Sequence, residues 1–315
     1  MHKVVILGCG WLGQQIGISL ANAGYQVIGT RQSASSCALL PTQIEPWVLQ
    51  LPAAEFPVAL LSDAIVIVAI PASAANYLQA LSQIRNACVS AKQVVFCSST
   101  GIYAGLGGEL GESAIPMQGV DQERLSTGPR EQEATDLEKA AIASEQPCAS
   151  LPLTRVQRLM AAEMIMASLT NCLILRLAGL IGPSRHPANF CKHGPLAGAD
   201  WPVNMVHSAD IQQFILLWLQ QGATQKLSVE IFNARQIGSE FNTAEVVNLC
   251  CPEHPTKQQF YQAACLHAGV AAPSFFTNDS SSVPDQPRTI NIKRSLMLSG
   301  FDYKFKSPIA AIAHC

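Results

Sequence analysis

The residues with the most explicit chemistry stand at the start of the chain: Gly8-Cys9-Gly10-Trp11-Leu12-Gly13, a GxGxxG turn. It follows an apolar strand (VVIL) and opens a helix with Leu12, Ile16 and Leu20 on one face, the setting in which such a turn cradles a dinucleotide. Gly8 permits the tight turn, Gly10 lets a pyrophosphate approach the backbone, and Gly13 brings the helix against the strand. The phosphates then meet the free N–H groups of the first helical turn, where Trp11 and Leu12 lie. A second strand ends at Thr30-Arg31, and no acid follows until Glu45. An NAD site usually has a carboxylate there for the ribose hydroxyls. A carboxylate would repel a 2′-phosphate, whereas a guanidinium pairs with it through two hydrogen bonds. Thr30 and Arg31 therefore predict NADP(H), with NAD(H) as the alternative and a solvated Arg31 as the bland reading.

Composition narrows what surrounds this site. Of 315 residues, 49% are hydrophobic and 13% charged, which fits a well-packed globular chain of about two domains. The formal net charge of -2 supplies no basic field for a phosphate backbone, so nucleic acid is not an expected partner. Eleven cysteines occur without any CxxC, the single adjacent pair being Cys250-Cys251. Most sit in apolar runs, as Cys97 and Cys172 do, so reduced thiols, a cytoplasmic location and no metal site are expected. The apolar N-terminal run is short and ends in glycines, unlike a signal peptide. The uncharged stretch Ala64–Ile84 contains Pro71 and several polar residues, so no membrane span is read there.

Short β-branched runs alternate with amphipathic stretches, the pattern of an α/β chain with a parallel sheet covered by helices. Strands are expected at Val4–Leu7, Tyr25–Gly29, Ala64–Ala69, Gln93–Cys97, Cys172–Leu177 and Glu245–Leu249, with a weaker one at Pro46–Leu49. Helices are expected at Leu12–Ala23, Ser73–Ala91, Thr154–Leu169, Ser208–Gln220 and Thr256–Ala268. From about Ala104 to Ser150 the chain is polar and lacks strand periodicity, as a lid or an insertion would be. After Gly179 it turns rich in Pro and Gly. The expected organisation is a nucleotide-binding domain over 1–180, to which a strand near 245–250 returns, and a smaller substrate lobe over 181–315.

Further motifs carry a resemblance. Val94–Tyr103 (VVFCSSTGIY) is a strand running into a Ser-Ser-Thr turn; Leu175–Pro183 (LRLAGLIGP) leads into a Gly-Pro loop; Val203–Asp210 (VNMVHSAD) precedes a helix. With the glycine turn they resemble the extended short-chain dehydrogenase/reductase superfamily, of the NAD-dependent epimerase/dehydratase type. GWLG, LRLAGLIGPSRHP and CCPEHPTKQQFY bring the chain nearest to an atypical bacterial branch. The resemblance spans nearly the whole length outside 104–150. It implies a Rossmann-type doubly wound parallel sheet with a smaller C-terminal lobe that closes on a substrate, often a nucleotide sugar. A homodimer is compatible with it.

The resemblance also implies chemistry. In active members a Ser or Thr at a strand end bonds the reacting oxygen, and a Tyr four residues before a Lys moves the proton. Ser99 and Thr100 match the hydroxyls, although such residues also serve plain turns. The pair does not match: Tyr25, Tyr77, Tyr103, Tyr261 and Tyr303 are followed four positions later by Gly29, Leu81, Gly107, Cys265 and Ser307. In the corresponding helix one register puts Arg155 and Leu159 at the Tyr and Lys positions, and a one-residue shift puts Thr154 and Arg158 there. Arg158 could hold ribose oxygens, but arginine does not exchange protons. Substitutes are His186, which titrates near neutrality, and Arg185, which could clamp an anion; both lie in the loop that faces substrate in relatives. Tyr103 could line the pocket or pack in the core. His207 reads as structural and Asp210 as a helix-capping acid.

Overall fold

In the computed structural model, which describes residues 2–114, 154–193, 195–221, 244–276 and 286–315, the apolar runs assemble into one sheet. Its seven strands are β1 (Lys3–Leu7), β2 (Gln26–Arg31), β3 (Glu45–Val48), β4 (Ile65–Val68), β5 (Gln93–Ser99), β7 (Cys172–Leu177) and β10 (Glu245–Leu249). They lie in the order β10-β7-β5-β4-β1-β2-β3, the doubly wound Rossmann order, and every pairing is parallel. The period-2 geometry of a strand sends alternate residues to opposite faces, and here both faces are buried. Val4 and Ile6 join the core beneath helices Trp11–Asn22 and Ser208–Gln221. Val5 and Leu7 join the core beneath helices Tyr77–Ala87 and Arg155–Ala167.

All seven strand expectations have a counterpart, and the differences lie at the ends. The second strand runs two residues further than expected because Thr30 and Arg31 pair with Trp47 and Val48 of the edge strand β3. The helix expected from Ser73 begins at Tyr77, since Asn76 adopts a left-handed backbone (φ +53°) that ends any continuous helix before it. Most of the polar stretch 104–150 lies outside the described residues; within its start, β6 (Gly108–Leu110) pairs with β11 (Arg288–Ile290). β8 (Gly179–Ile181) and β9 (Met205–His207) form a further two-stranded sheet. With helix Lys257–His267 they surround a third cluster that includes Ile181, Val203, Phe260 and Phe305. Among the described residues no helix is long and apolar enough to cross a membrane.

Asp210, in the first turn of helix Ser208–Gln221, ties that helix to the C-terminal segment. Its Oδ1 accepts a 2.7 Å bond from the Lys304 N–H, while its buried Oδ2 has no partner among the described residues. Burial pushes the carboxyl from 3.8 up to about 6, partly offset by the backbone N–H bonds. A folded-state value above the unfolded one means that this group's contribution is fully present below pH 3.8 and is lost as the pH rises through about 6. Asp210→Asn, which keeps the acceptor and removes the charge, is therefore expected to raise stability above pH 6 by about 2–3 kcal/mol. Urea unfolding at a series of pH values checks this. Parallel pH profiles for the variant and the parent would show that Asp210 is not the titrating group.

Candidate functional site

The glycine turn leaves β1 with Gly8 at φ +84°. It is braced from behind: the Gly8 N–H donates to the Thr30 Oγ1 at 3.1 Å, and the Cys9 N–H to the Thr30 carbonyl at 2.9 Å. Thr30, expected among the cofactor contacts, is buried, and its hydroxyl oxygen accepts from the turn. Helix Trp11–Asn22 starts at Gly10 without a side-chain cap and without an acid in its first turn, so its amides remain available to an anion. A Cβ at Gly10 would meet nothing nearer than the Gly8 carbonyl oxygen at 3.9 Å. One at Gly13 would stand 3.0 Å from that oxygen and 3.1 Å from Ile6. Leu12 packs against the core. At the end of β2 the buried Arg31 Nε has no hydrogen-bond partner among the described residues. Uncapped amides, an open face at Gly10 and an orphaned guanidinium nitrogen together fit an anionic dinucleotide. Cys9 beneath the turn is inert, because burial pushes its thiol up to about 12.

At the carboxyl end of β5 the chain tightens into a 3-10 turn, Thr100–Tyr103. Ser99 Oγ accepts a 3.0 Å bond from the Gly101 N–H, which leaves its own proton free to donate. The Thr100 hydroxyl points inward and donates weakly to the Leu177 carbonyl at 3.4 Å. Of the two, Ser99 is the better placed to meet a ligand oxygen. Both line a cavity of about 440 Å³ that also receives Arg155, Arg185, Lys257 and Arg288, and no Asp or Glu is among its described lining residues. Arg155 comes from the start of its helix, where Thr154 is engaged as the cap. Leu159, four residues on, is buried. Arg158 turns elsewhere and donates to the Ala72 carbonyl at 3.2 Å.

Arg185 joins the glycine turn to the second lobe. Its guanidinium lies over the Trp11 ring at 5.4 Å, its Nε donates to the Leu180 carbonyl, and the Trp11 Nε1 donates to the Pro183 carbonyl at 2.7 Å. The side chain of Trp11, expected at the cofactor, is thus docked on the lobe, and only its backbone stays at the helix start. His186 is not among the lining residues. Its Nδ1 accepts from the Ala188 N–H, so its proton resides on Nε2 and is shared with His267 Nδ1 at 3.2 Å. Burial and then His267 lower its pKa. The expectation that His186 carries protons at the substrate is corrected by this pairing. Tyr103 is corrected as well. It is fully buried, its hydroxyl donates to Asn248 Oδ1 at 2.9 Å and accepts from Arg176 Nη1 at 2.7 Å, and so it belongs to the core. His207 is structural: it accepts from the Ala209 N–H and lies 3.2 Å from the His314 carbonyl.

Lys257, Arg288, Tyr261 and Trp201 were missed by sequence reasoning. Lys257 donates to the Ala197 carbonyl at 3.1 Å and covers the Trp201 ring at 4.9 Å. One signal was visible: Thr154-Arg155-Val156-Gln157 and Thr256-Lys257-Gln258-Gln259 repeat one pattern, a capping box whose first helical residue is a cation.

The strand order and the glycine turn define a doubly wound, Rossmann-type α/β fold. Two solved structures share it: an NAD-dependent epimerase/dehydratase from Methylobacillus flagellatus, described as such only provisionally (TM-score 0.65, 19% identity, 99% of this chain and 96% of that one), and the UDP-glucuronic acid 4-epimerase from Bacillus cereus in complex with NAD (TM-score 0.64, 14% identity, 99% and 96%). The chain is a distant homologue, over its full length, of Protein YeeZ of Escherichia coli K12, with 26% identity across 98% of each chain. No protein-family model matches it.

Proposed function

We propose that the chain binds NADP(H) and acts as an oxidoreductase or epimerase/dehydratase on a polar metabolite such as a nucleotide sugar, without the usual Tyr-Lys proton pair. The observation that carries this is the meeting of the Ser99 hydroxyl and Arg155 with Arg185, Lys257 and Arg288 in one cavity beside the glycine turn. That solved structures of the same fold hold NAD, and in one case belong to a UDP-glucuronic acid epimerase, supports the class of chemistry. When bound, the nicotinamide supplies or accepts the hydride. The chain's own part is to hold the diphosphate on the amides of residues 11–13, pair Arg31 with the adenosine end and donate from Ser99 to the reacting oxygen. The small sheets β8–β9 and β6–β11, with helix Lys257–His267, belong to the lobe over the substrate. The described cysteines are all unpaired thiols, which favours a cytoplasmic location.

NADPH is expected to bind more tightly than NADH in fluorescence titrations. Arg31→Ala is expected to weaken NADPH about tenfold or more while leaving NADH unchanged. Tighter NADH binding by the parent protein would overturn the NADP assignment. The absence of a Tyr-Lys pair favours one other reading, a cofactor-binding redox sensor that has lost catalysis. Oxidation or reduction of bound cofactor by a candidate substrate, abolished in Ser99→Ala, selects the enzyme.

A further inference from the structure

Positive charge is concentrated in the cavity against the local electrostatics. Helices Arg155–Ala167 and Lys257–His267 both open onto it, and each places a cation at its first position. The amino end of a helix carries about half a positive charge, so a cation there is disfavoured by roughly 0.3–1 kcal/mol. Neither helix has an acid in its first turn to compensate. Arg185 and Arg288 add two more cations, and no carboxylate is among the described lining residues. Arg155 itself has no ion-pair partner among the described residues. Like charge gathered around a partly open cavity attracts anions to it.

The charge at Arg155 is also placed where chemistry would occur. Gly101 lies between the Ser99 hydroxyl and the Arg155 guanidinium: a Cβ built on it would stand 3.2 Å from the Ser99 Oγ and 3.4 Å from the Arg155 Nη2. The side chains of Ser99 and Arg155 therefore flank one small gap, which only the missing side chain at residue 101 keeps open. A guanidinium offers a flat pair of donors that matches the two oxygens of a carboxylate or two oxygens of a phosphate, and it cannot act as the proton donor.

We propose, building on the function proposed above, that Arg155 is a specificity-determining residue that grips an oxyanion on the substrate next to the oxygen bonded by Ser99. The substrate is thereby a polyanion with one charge at its reacting end and the rest facing Arg185, Lys257 and Arg288. Uncharged sugars and alcohols are disfavoured, because they offer the guanidinium no oxyanion to pair with.

The test uses the full chain and two small probes, malonate for the carboxylate source and inorganic phosphate for the other. Each is titrated at constant ionic strength near neutral pH, with and without saturating NADPH, and followed by calorimetry. At least one probe is expected to bind the parent protein saturably. Arg155→Gln is expected to weaken it about 10- to 100-fold, Arg155→Lys to restore part of the loss, and Arg85→Gln on a distant surface to change nothing. Which probe binds tells carboxylate from phosphate. Binding of neither probe, or equal binding to parent and Arg155→Gln, overturns the proposal. NADPH affinity is expected to be the same in both proteins; its absence from both would remove the proposed cofactor chemistry while the anion result still decides the role of Arg155.

Discussion

Glu163→Gln is expected to destabilise the folded chain by about 3–5 kcal/mol, a large share of the ~5–15 kcal/mol that holds a native protein together. Glu163 is 7% exposed and Arg176 3% exposed. They form a buried ion pair: Arg176 Nη2 lies 2.7 Å from Glu163 Oε2, Arg176 Nε donates to both carboxylate oxygens at 3.1 Å, and Ser98 Oγ donates to Oε1 at 2.6 Å. Burial alone would lower the Arg176 pKa, but the carboxylate and Tyr103 more than reverse that and hold it above its usual value. Removing the carboxylate leaves a guanidinium that can neither ionise otherwise nor reach water. Arg176→Met is expected to cost a comparable amount, since it strips the buried carboxylate of its cation and removes the donor to the Tyr103 hydroxyl and the Glu112 carbonyl. A double replacement of both by Met is expected to recover part of the loss, because an apolar pair of similar volume needs no charge compensation. Urea unfolding of the three variants decides it, and single variants within about 1 kcal/mol of the parent would show that the pair is not an anchor.

The position of that pair explains why it bears on function. Ser98 on β5 and Arg176 on β7 are register partners in the sheet. The same guanidinium donates to the Tyr103 hydroxyl and to the Glu112 carbonyl at 2.9 Å. One buried cation thus fixes the residue before the Ser99–Thr100 turn through Glu163 and the residue that ends it through Tyr103. Glu112 extends the network by accepting from the Asn248 N–H at 2.9 Å, with Arg294 3.7 Å away. The turn that presents Ser99 to the cavity is held at both ends by groups that themselves never reach it.

What the sequence revealed and what it hid follow from how local each signal is. Strands such as Ile65–Val68 are apolar throughout because both faces are covered, and that needs no partner to be recognised. The glycine turn is legible for the same reason: its demands arise within six residues. Tyr103 was ambiguous because its fate depends on Arg176, 73 residues away, and on Asn248, 145 residues away. His186 looked free because its partner His267 lies 81 residues on. Lys257 and Arg288 reach the cavity only once the second lobe folds over the sheet, and nothing in their immediate neighbours announces it beyond the misplaced charge at the start of a helix.

The glycine turn offers the sharpest separation between fold and ligand. Gly8→Ala is expected to damage both, because the new Cβ would stand 3.0 Å from Ala69 C, Ala69 O and Ile70 N, backbone atoms of the adjacent segment that cannot rotate aside. It would also force an alanine to hold φ +84°, a conformation that costs an L-residue about 1–2 kcal/mol by itself. The expected result is a loss of roughly 2–4 kcal/mol in stability together with loss of dinucleotide binding. Gly10→Ala is the informative contrast. Its Cβ would project into space where the nearest atom is 3.9 Å away, and the glycine it replaces already has an ordinary negative φ of -76°. Folding should therefore be untouched, while a methyl group stands where a diphosphate must touch the amides. An unchanged melting temperature with NADPH affinity lower by about two orders of magnitude is the expected outcome. Should Gly10→Ala bind NADPH as the parent does, no diphosphate passes over that amide, and the glycines serve only the packing of helix on strand.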